Sequence, residues 1–155
     1  MSELKDRLRA DLTTSMKARD AVTTGTLRMA LAAVTNEEVS GATARDLSDA
    51  EVVTVLSREV KKRKEAAEAF DGADRPELAE KERAESAVLA RYLPQQLTDD
   101  ELSTLVAEAV AEVEAATGAA PTMKQMGQVI KAAQARSAGR ADGARVAAAV
   151  RSALG

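Results

Sequence analysis

Apolar residues recur every third or fourth position through most of this chain, and that spacing constrains the fold more than any other feature. Leu102, Leu105, Val106, Ala109, Val110 and Val113 show it most clearly. They fall on one stripe of an amphipathic α-helix. Only two residues are aromatic, Phe70 and Tyr92, and much of the apolar 45% is alanine. Helices can pack a core of Leu, Val and Ala, whereas strands favour more β-branched and aromatic residues. An all-α fold is therefore expected.

Glycines at 41, 72, 118, 139, 143 and 155 and prolines at 94 and 121 separate the periodic stretches, where they read as punctuation. Seven helices result. The first spans about 3–18 behind a Ser2 cap, with Leu4, Leu8, Leu12 and Met16 in line. The second covers about 21–39 on Leu27, Leu31 and Val34, with Gly25 weakening its start by roughly 1 kcal/mol. The third opens with the capping box Ser48-x-x-Glu51, is lined by Val52, Leu56, Val60, Ala67 and Phe70, and stops at Asp71-Gly72. A second box, Asp74-x-x-Glu77, is expected to start the fourth, with Leu78, Leu89 and Tyr92 on its inner face. Thr98-x-x-Glu101 starts the fifth, which Thr117-Gly118 closes. Pro121-Thr122 is expected to cap the sixth, and Asp142 the seventh, with Val146, Val150 and Leu154 inward.

The break at 92–97, Tyr-Leu-Pro-Gln-Gln-Leu, divides this series. The expectation is an N-terminal four-helix domain, 1–93, followed by a smaller three-helix domain, 94–155, basic from 121 onward. A unit of that size with a thin core would be marginal by itself.

Cysteine and histidine are absent. Thiolate nucleophiles, the usual general base near neutral pH and the commonest metal ligands go with them. No catalytic residue, metal site or cofactor is therefore expected. The chain shows no signal-peptide pattern and no apolar run long enough to span a bilayer. A cytoplasmic location without a membrane partner is the expectation.

Net charge is −3, but it is unevenly placed. Residues 94–120 carry six acids and no bases, whereas 121–155 carry six bases and the single acid Asp142. In the N-terminal part the densest run is Arg58-Glu59-Val60-Lys61-Lys62-Arg63-Lys64-Glu65. It reads either as a solvated face with Lys61–Glu65 and Lys64–Glu68 pairs, or as a patch contacting phosphates. Arg63 falls between Val52 and Leu56 on the apolar side, and Glu82 and Glu85 lie beside Leu78 and Leu89. An antiparallel hairpin of helices 3 and 4 would bring these charges together. A partly buried ion pair of Arg63 with Glu82 or Glu85 is expected, because a stranded arginine there would cost several kcal/mol.

The basic C-terminal third is the stronger nucleic-acid candidate. Arg136, Arg140 and Arg145 flank the loop entering helix 7, and backbone N–H groups at a helix start favour phosphate. No aromatic platform accompanies them, so binding would read backbone and shape, as for structured RNA, with no role for DNA expected. The other reading is a solvated arginine face on a small helical unit.

Seven residue runs carry a resemblance. They are Lys17-Ala18-Arg19-Asp20, Thr26-Leu27-Arg28-Met29, Asn36-Glu37-Glu38-Val39, Val60-Lys61-Lys62-Arg63-Lys64-Glu65-Ala66, Tyr92-Leu93-Pro94-Gln95-Gln96-Leu97, Met126-Gly127 and Gly139-Arg140-Ala141-Asp142-Gly143. In this order they resemble the YqeY family of small bacterial proteins, which is similar to the C-terminal tail of GatB. GatB is the B subunit of the glutamine-dependent amidotransferase that acts on misacylated Glu-tRNA(Gln) or Asp-tRNA(Asn). The resemblance implies two helical domains, affinity for tRNA, and partners among amidotransferase or aminoacyl-tRNA synthetase components. It places the tRNA contact on Lys124, Lys131, Arg140 and Arg145. The label of a carbon–nitrogen ligase with glutamine as amide donor travels with the family, but no residue here resembles either catalytic portion of that enzyme. The segment Val22-Thr23-Thr24-Gly25 departs from the more helical sequence the family leads one to expect, and 132–138 lacks an expected proline. The alternative is a protein-interaction module using exposed apolar strips of the C-terminal helices.

Overall fold

The computed structural model describes residues 2–155. Among them it contains seven α-helices, one short 3-10 helix and no strand. The chain divides into two compact units, one extending to Leu93 and one of Pro94–Gly155.

The first unit holds α1 (Glu3–Lys17), α2 (Ala21–Glu38), α3 (Asp49–Gly72) and α4 (Pro76–Ala90). The first three starts each follow from a side chain that satisfies orphan N–H groups. The Ser2 hydroxyl accepts from Lys5 N, the Asp20 carboxylate from Thr23 N, and Ser48 with Glu51 forms the full capping box. Leu8, Leu27, Val34, Val52, Leu56 and Leu89 are wholly buried in one core. Each contributes roughly 1.5–3 kcal/mol of burial. The core also takes Leu47, from the connection before α3, and Tyr92, whose hydroxyl donates to Asp11 Oδ2 at 2.6 Å.

Three expectations are corrected here. Met16 closes the α1 stripe in sequence but is half exposed, since it lies in the last turn. Asp74 does not cap α4. The α3 terminus uses it in the left-handed region (φ 58°), with Asp74 N donating to Asp71 O and Arg75 N to Phe70 O. That closure commits Asp74 to ending α3. Helix α4 then starts from Arg75 with Pro76 in its first turn and no side-chain cap. Leu78, in that first turn, stays largely exposed, and Ala79 takes the buried position.

The second unit holds α5 (Asp99–Thr117), the 3-10 helix Met123–Gln125, α6 (Met126–Ser137) and α7 (Gly143–Leu154). Thr98 and Glu101 form a complete capping box, Gly118 ends α5 in the left-handed region, and Asp142 caps α7 by accepting from Arg145 N. Thr122 caps the 3-10 turn, so α6 begins later than Pro121-Thr122 suggested. Val106, Ala109, Val129, Ala133, Val146 and Val150 form the centre of this core.

Candidate functional site

The charge split of 94–155 folds onto itself. Arg136 of α6 reaches back to α5, with Nη1 3.2 Å from Glu108 and Nε 3.1 Å from Glu112. Arg140 Nη2 lies 3.7 Å from Glu101, and Arg145 Nη2 lies 2.9 Å from Asp99. Each pair is partly solvated and screened, so it adds little to stability.

Arg140 and Arg145 have a further task. Arg140 Nε donates to Gln95 O at 2.8 Å, Arg145 Nη2 donates to Leu97 O at 3.0 Å, and Leu97 N donates to Arg140 O at 2.8 Å. Together they fasten the 95–99 segment to the loop before α7. Hydrogen bonds with the Thr98 backbone and side chain, with Arg140 nearby, hold the Glu101 carboxyl below its ordinary range.

Lys124 and Lys131 are placed differently. Both are exposed, and neither has a carboxylate within ion-pair reach among the described residues. Lys131 stands opposite the buried Val129 and Ala133 on α6. The four expected contact residues thus differ in setting. Two are solvent-facing lysines and two are arginines engaged with the chain itself.

In the first unit Arg63 is buried, with only 8% of its side chain exposed. Its Nε lies 3.3 Å from Glu85 Oε2, and its Nη1 donates to Glu59 Oε2 at 2.8 Å and to Glu59 O at 3.1 Å. Nη2 rests 3.8 Å from Met29 Sδ. Glu82 makes no ion pair among the described residues; Glu59, one turn back on α3, takes the second place. Burial pushes the Glu59 carboxyl up, but hydrogen bonds from Arg63 and Lys62 outweigh it and leave the group below its ordinary value. Arg63 joins α3 to α4 and touches α2, which makes it a structural residue. Neither Lys61–Glu65 nor Lys64–Glu68 is paired; Arg58 pairs with Glu37 at 3.6 Å and Lys62 with Glu59 at 3.3 Å.

Two wide grooves lie on this unit, beside a smaller pocket of about 230 Å³ at Lys5 and Glu38. The larger, about 670 Å³, runs between α2 and α3 past Asn36, Glu37, Ser40, Arg58, Lys61 and Glu65. Its charges are mixed. The second, about 510 Å³, sits where α1 turns into α2 and is lined by Met16, Arg19, Ala21, Thr24, Gly25 and Arg28. Sequence reasoning assigned nothing to this corner, although 12–36 contains three bases and only one acid, Asp20. Among the described residues no group of three or more acids could hold a metal ion, and no helix is long and apolar enough to cross a membrane.

The model of the YqeY family, described as Yqey-like protein, matches residues 5–154. The chain belongs to the YqeY family. It is also similar to an uncharacterized protein of Schizosaccharomyces pombe, at 34% identity over 92 residues, which are 59% of this chain and 73% of that protein. In this YqeY-family chain, residues of the Asn36-Glu37-Glu38-Val39 and Val60-Lys61-Lys62-Arg63-Lys64-Glu65-Ala66 runs line the same α2–α3 groove. Those of Lys17-Ala18-Arg19-Asp20 and Thr26-Leu27-Arg28-Met29 meet at the α1–α2 corner.

Proposed function

We propose that this chain is a tRNA-binding module that accompanies a tRNA-dependent amidotransferase and performs no amide chemistry itself. The observation that supports the reading best is the sorting of bases in the second unit. Arg136, Arg140 and Arg145 are matched by acids of α5, while Lys124 and Lys131 project into solvent unmatched. The two lysines are seven residues apart, on the order of 10 Å along the helix direction. They suit point-charge contacts to phosphates. With Tyr92 hydrogen-bonded in a core and Phe70 the only other aromatic residue, recognition would rest on backbone and shape. The amidotransferase association rests on the family resemblance, and glutamine hydrolysis would fall to a partner that supplies an activated nucleophile–base pair.

The test is binding of total tRNA by the purified chain across a salt series. Affinity should fall steeply with salt, and Lys124→Gln with Lys131→Gln should lower the slope by about one for each contact. Absence of binding at low salt would sink the reading. Glutamine- and ATP-dependent turnover by the chain alone would overturn its non-catalytic half.

A second reading, a protein-interaction module, is favoured by the exposed large apolar residues. Met16, Val22, Met29, Val39 and Leu78 lie in the first unit and only Met123 in the second. Any such surface therefore belongs mainly to the N-terminal helices. Recovery of a protein and no RNA in a pull-down would favour it.

A further inference from the structure

We propose that the α1–α2 corner, around Arg19, Gly25 and Arg28, is a binding site for the phosphodiester backbone of RNA. The inference rests on the tRNA-binding reading and moves a principal contact into the first unit.

Two residues at this corner go against local preference. Arg19 holds φ 56° at the end of α1, with Arg19 N donating to Met16 O and Asp20 N to Ser15 O. Glycine is the usual residue in that closure, and a side chain there costs energy. Gly25 lies inside α2, where alanine would be favoured by roughly 1 kcal/mol. A Cβ at Gly25 would meet nothing within 4 Å, so packing does not demand glycine. Both residues line the same groove. Local choices that weaken folding and converge on one surface are the signature of a site.

The chemistry of the lining then selects the ligand. Arg19 and Arg28 are exposed, and neither has a carboxylate within ion-pair reach among the described residues. Asp20, next in the chain to Arg19, accepts from Thr23 N at 3.1 Å and Thr23 Oγ1 at 2.7 Å, so its lone pairs are directed into the first turn of α2. Arg28 rests against Met16, with Nη2 3.8 Å from its sulfur. Ser15 Oγ and Thr24 Oγ1, 2.9 Å apart, lock the two helices beneath. Two guanidiniums beside a bare backbone present planar donors to phosphate oxygens, and Gly25 lets a ribose approach the helix closely.

The experiment measures total-tRNA affinity of the full chain and of three variants: Arg19→Gln with Arg28→Gln, Gly25→Leu, and Lys124→Gln with Lys131→Gln. The arginine pair should weaken binding on the order of tenfold at 0.1 M salt and lower the salt slope by about two. Gly25→Leu should melt no lower than the parent, because helix propensity improves and space is available, yet bind tRNA more weakly because the groove is filled. If the parent binds tRNA and both corner variants bind equally well, the corner is overturned and the tRNA reading stands. If the parent binds no tRNA, the tRNA reading itself fails and the corner with it. If polyglutamate displaces tRNA as well as polyuridylate does at equal charge, the corner is a site for acidic protein and the proposal is overturned.

Discussion

Arg63→Met removes the guanidinium that joins three helices while keeping a long, helix-compatible side chain. Glu85 then loses its partner with only 12% of its side chain exposed, whereas Glu59 keeps Lys62 at 3.3 Å. Breaking a buried pair from one side costs about 3–5 kcal/mol. Methionine restores part of the apolar burial, so the lower end, about 3 kcal/mol, is expected. With a denaturant slope of about 1–3 kcal/mol per molar, the urea midpoint should fall by about 1–3 M. Tyr92 is the single tyrosine in a chain without tryptophan, and it sits in the same core. Its fluorescence therefore reports this unit directly. The double variant Arg63→Met with Glu85→Leu should recover much of the loss, because two apolar chains replace the pair. A loss below about 1 kcal/mol for Arg63→Met, or a double variant equal to the sum of the singles, would refute the reasoning.

Two more outcomes concern titrating groups. Burial, reinforced by the hydrogen bond to Asp11, raises the Tyr92 hydroxyl to about 12; its contribution to stability is complete below the unfolded value near 10 and is lost between there and 12. Absorbance at the phenolate band should show one midpoint near 12, and a midpoint near 10 with helical dichroism intact would contradict it. Glu51 is lowered to about 2 by the Arg45 guanidinium first and the Ser48 backbone N–H second. Its stabilisation is present above its unfolded value near 4.5 and disappears as pH falls toward 2. The melting-temperature gap between the parent and Glu51→Gln should close over that window; a gap unchanged at pH 2 would place the effect elsewhere.

Much of the fold is legible in the sequence because caps and stripes are local. Ser2, Ser48, Thr98 and Asp142 announce their helices in sequence and perform those roles in the structure. The inward placement of Arg63 follows from its phase on the helix. Its Glu59 partner is harder to foresee, because hairpin pairing points only to the acids of α4 and not to one a turn back on α3. Asp74 is ambiguous because the same residue types suit an N-cap and a left-handed helix end, and only the backbone decides between them. The matching of Arg136 to Glu108 and Glu112 depends on how α6 lies along α5, which no single-helix pattern encodes. The α1–α2 corner is hidden for a related reason, since the backbone angle of Arg19 and the empty space over Gly25 exist only in three dimensions.

The fastening of residues 95–99 by Arg140 and Arg145 bears on where the second unit begins. A fragment cut at the Thr98 cap would look natural, since α5 starts there. It would lack Leu97, which is buried in the core, and the Gln95 and Leu97 carbonyls that take the two guanidiniums. Excision that respects the physics starts at Pro94 or earlier. By the same logic, the peptide bonds of 95–97 should resist proteolysis despite their position at the start of the second unit. The stretch that looks like a linker belongs, in its hydrogen bonding, to the C-terminal helices.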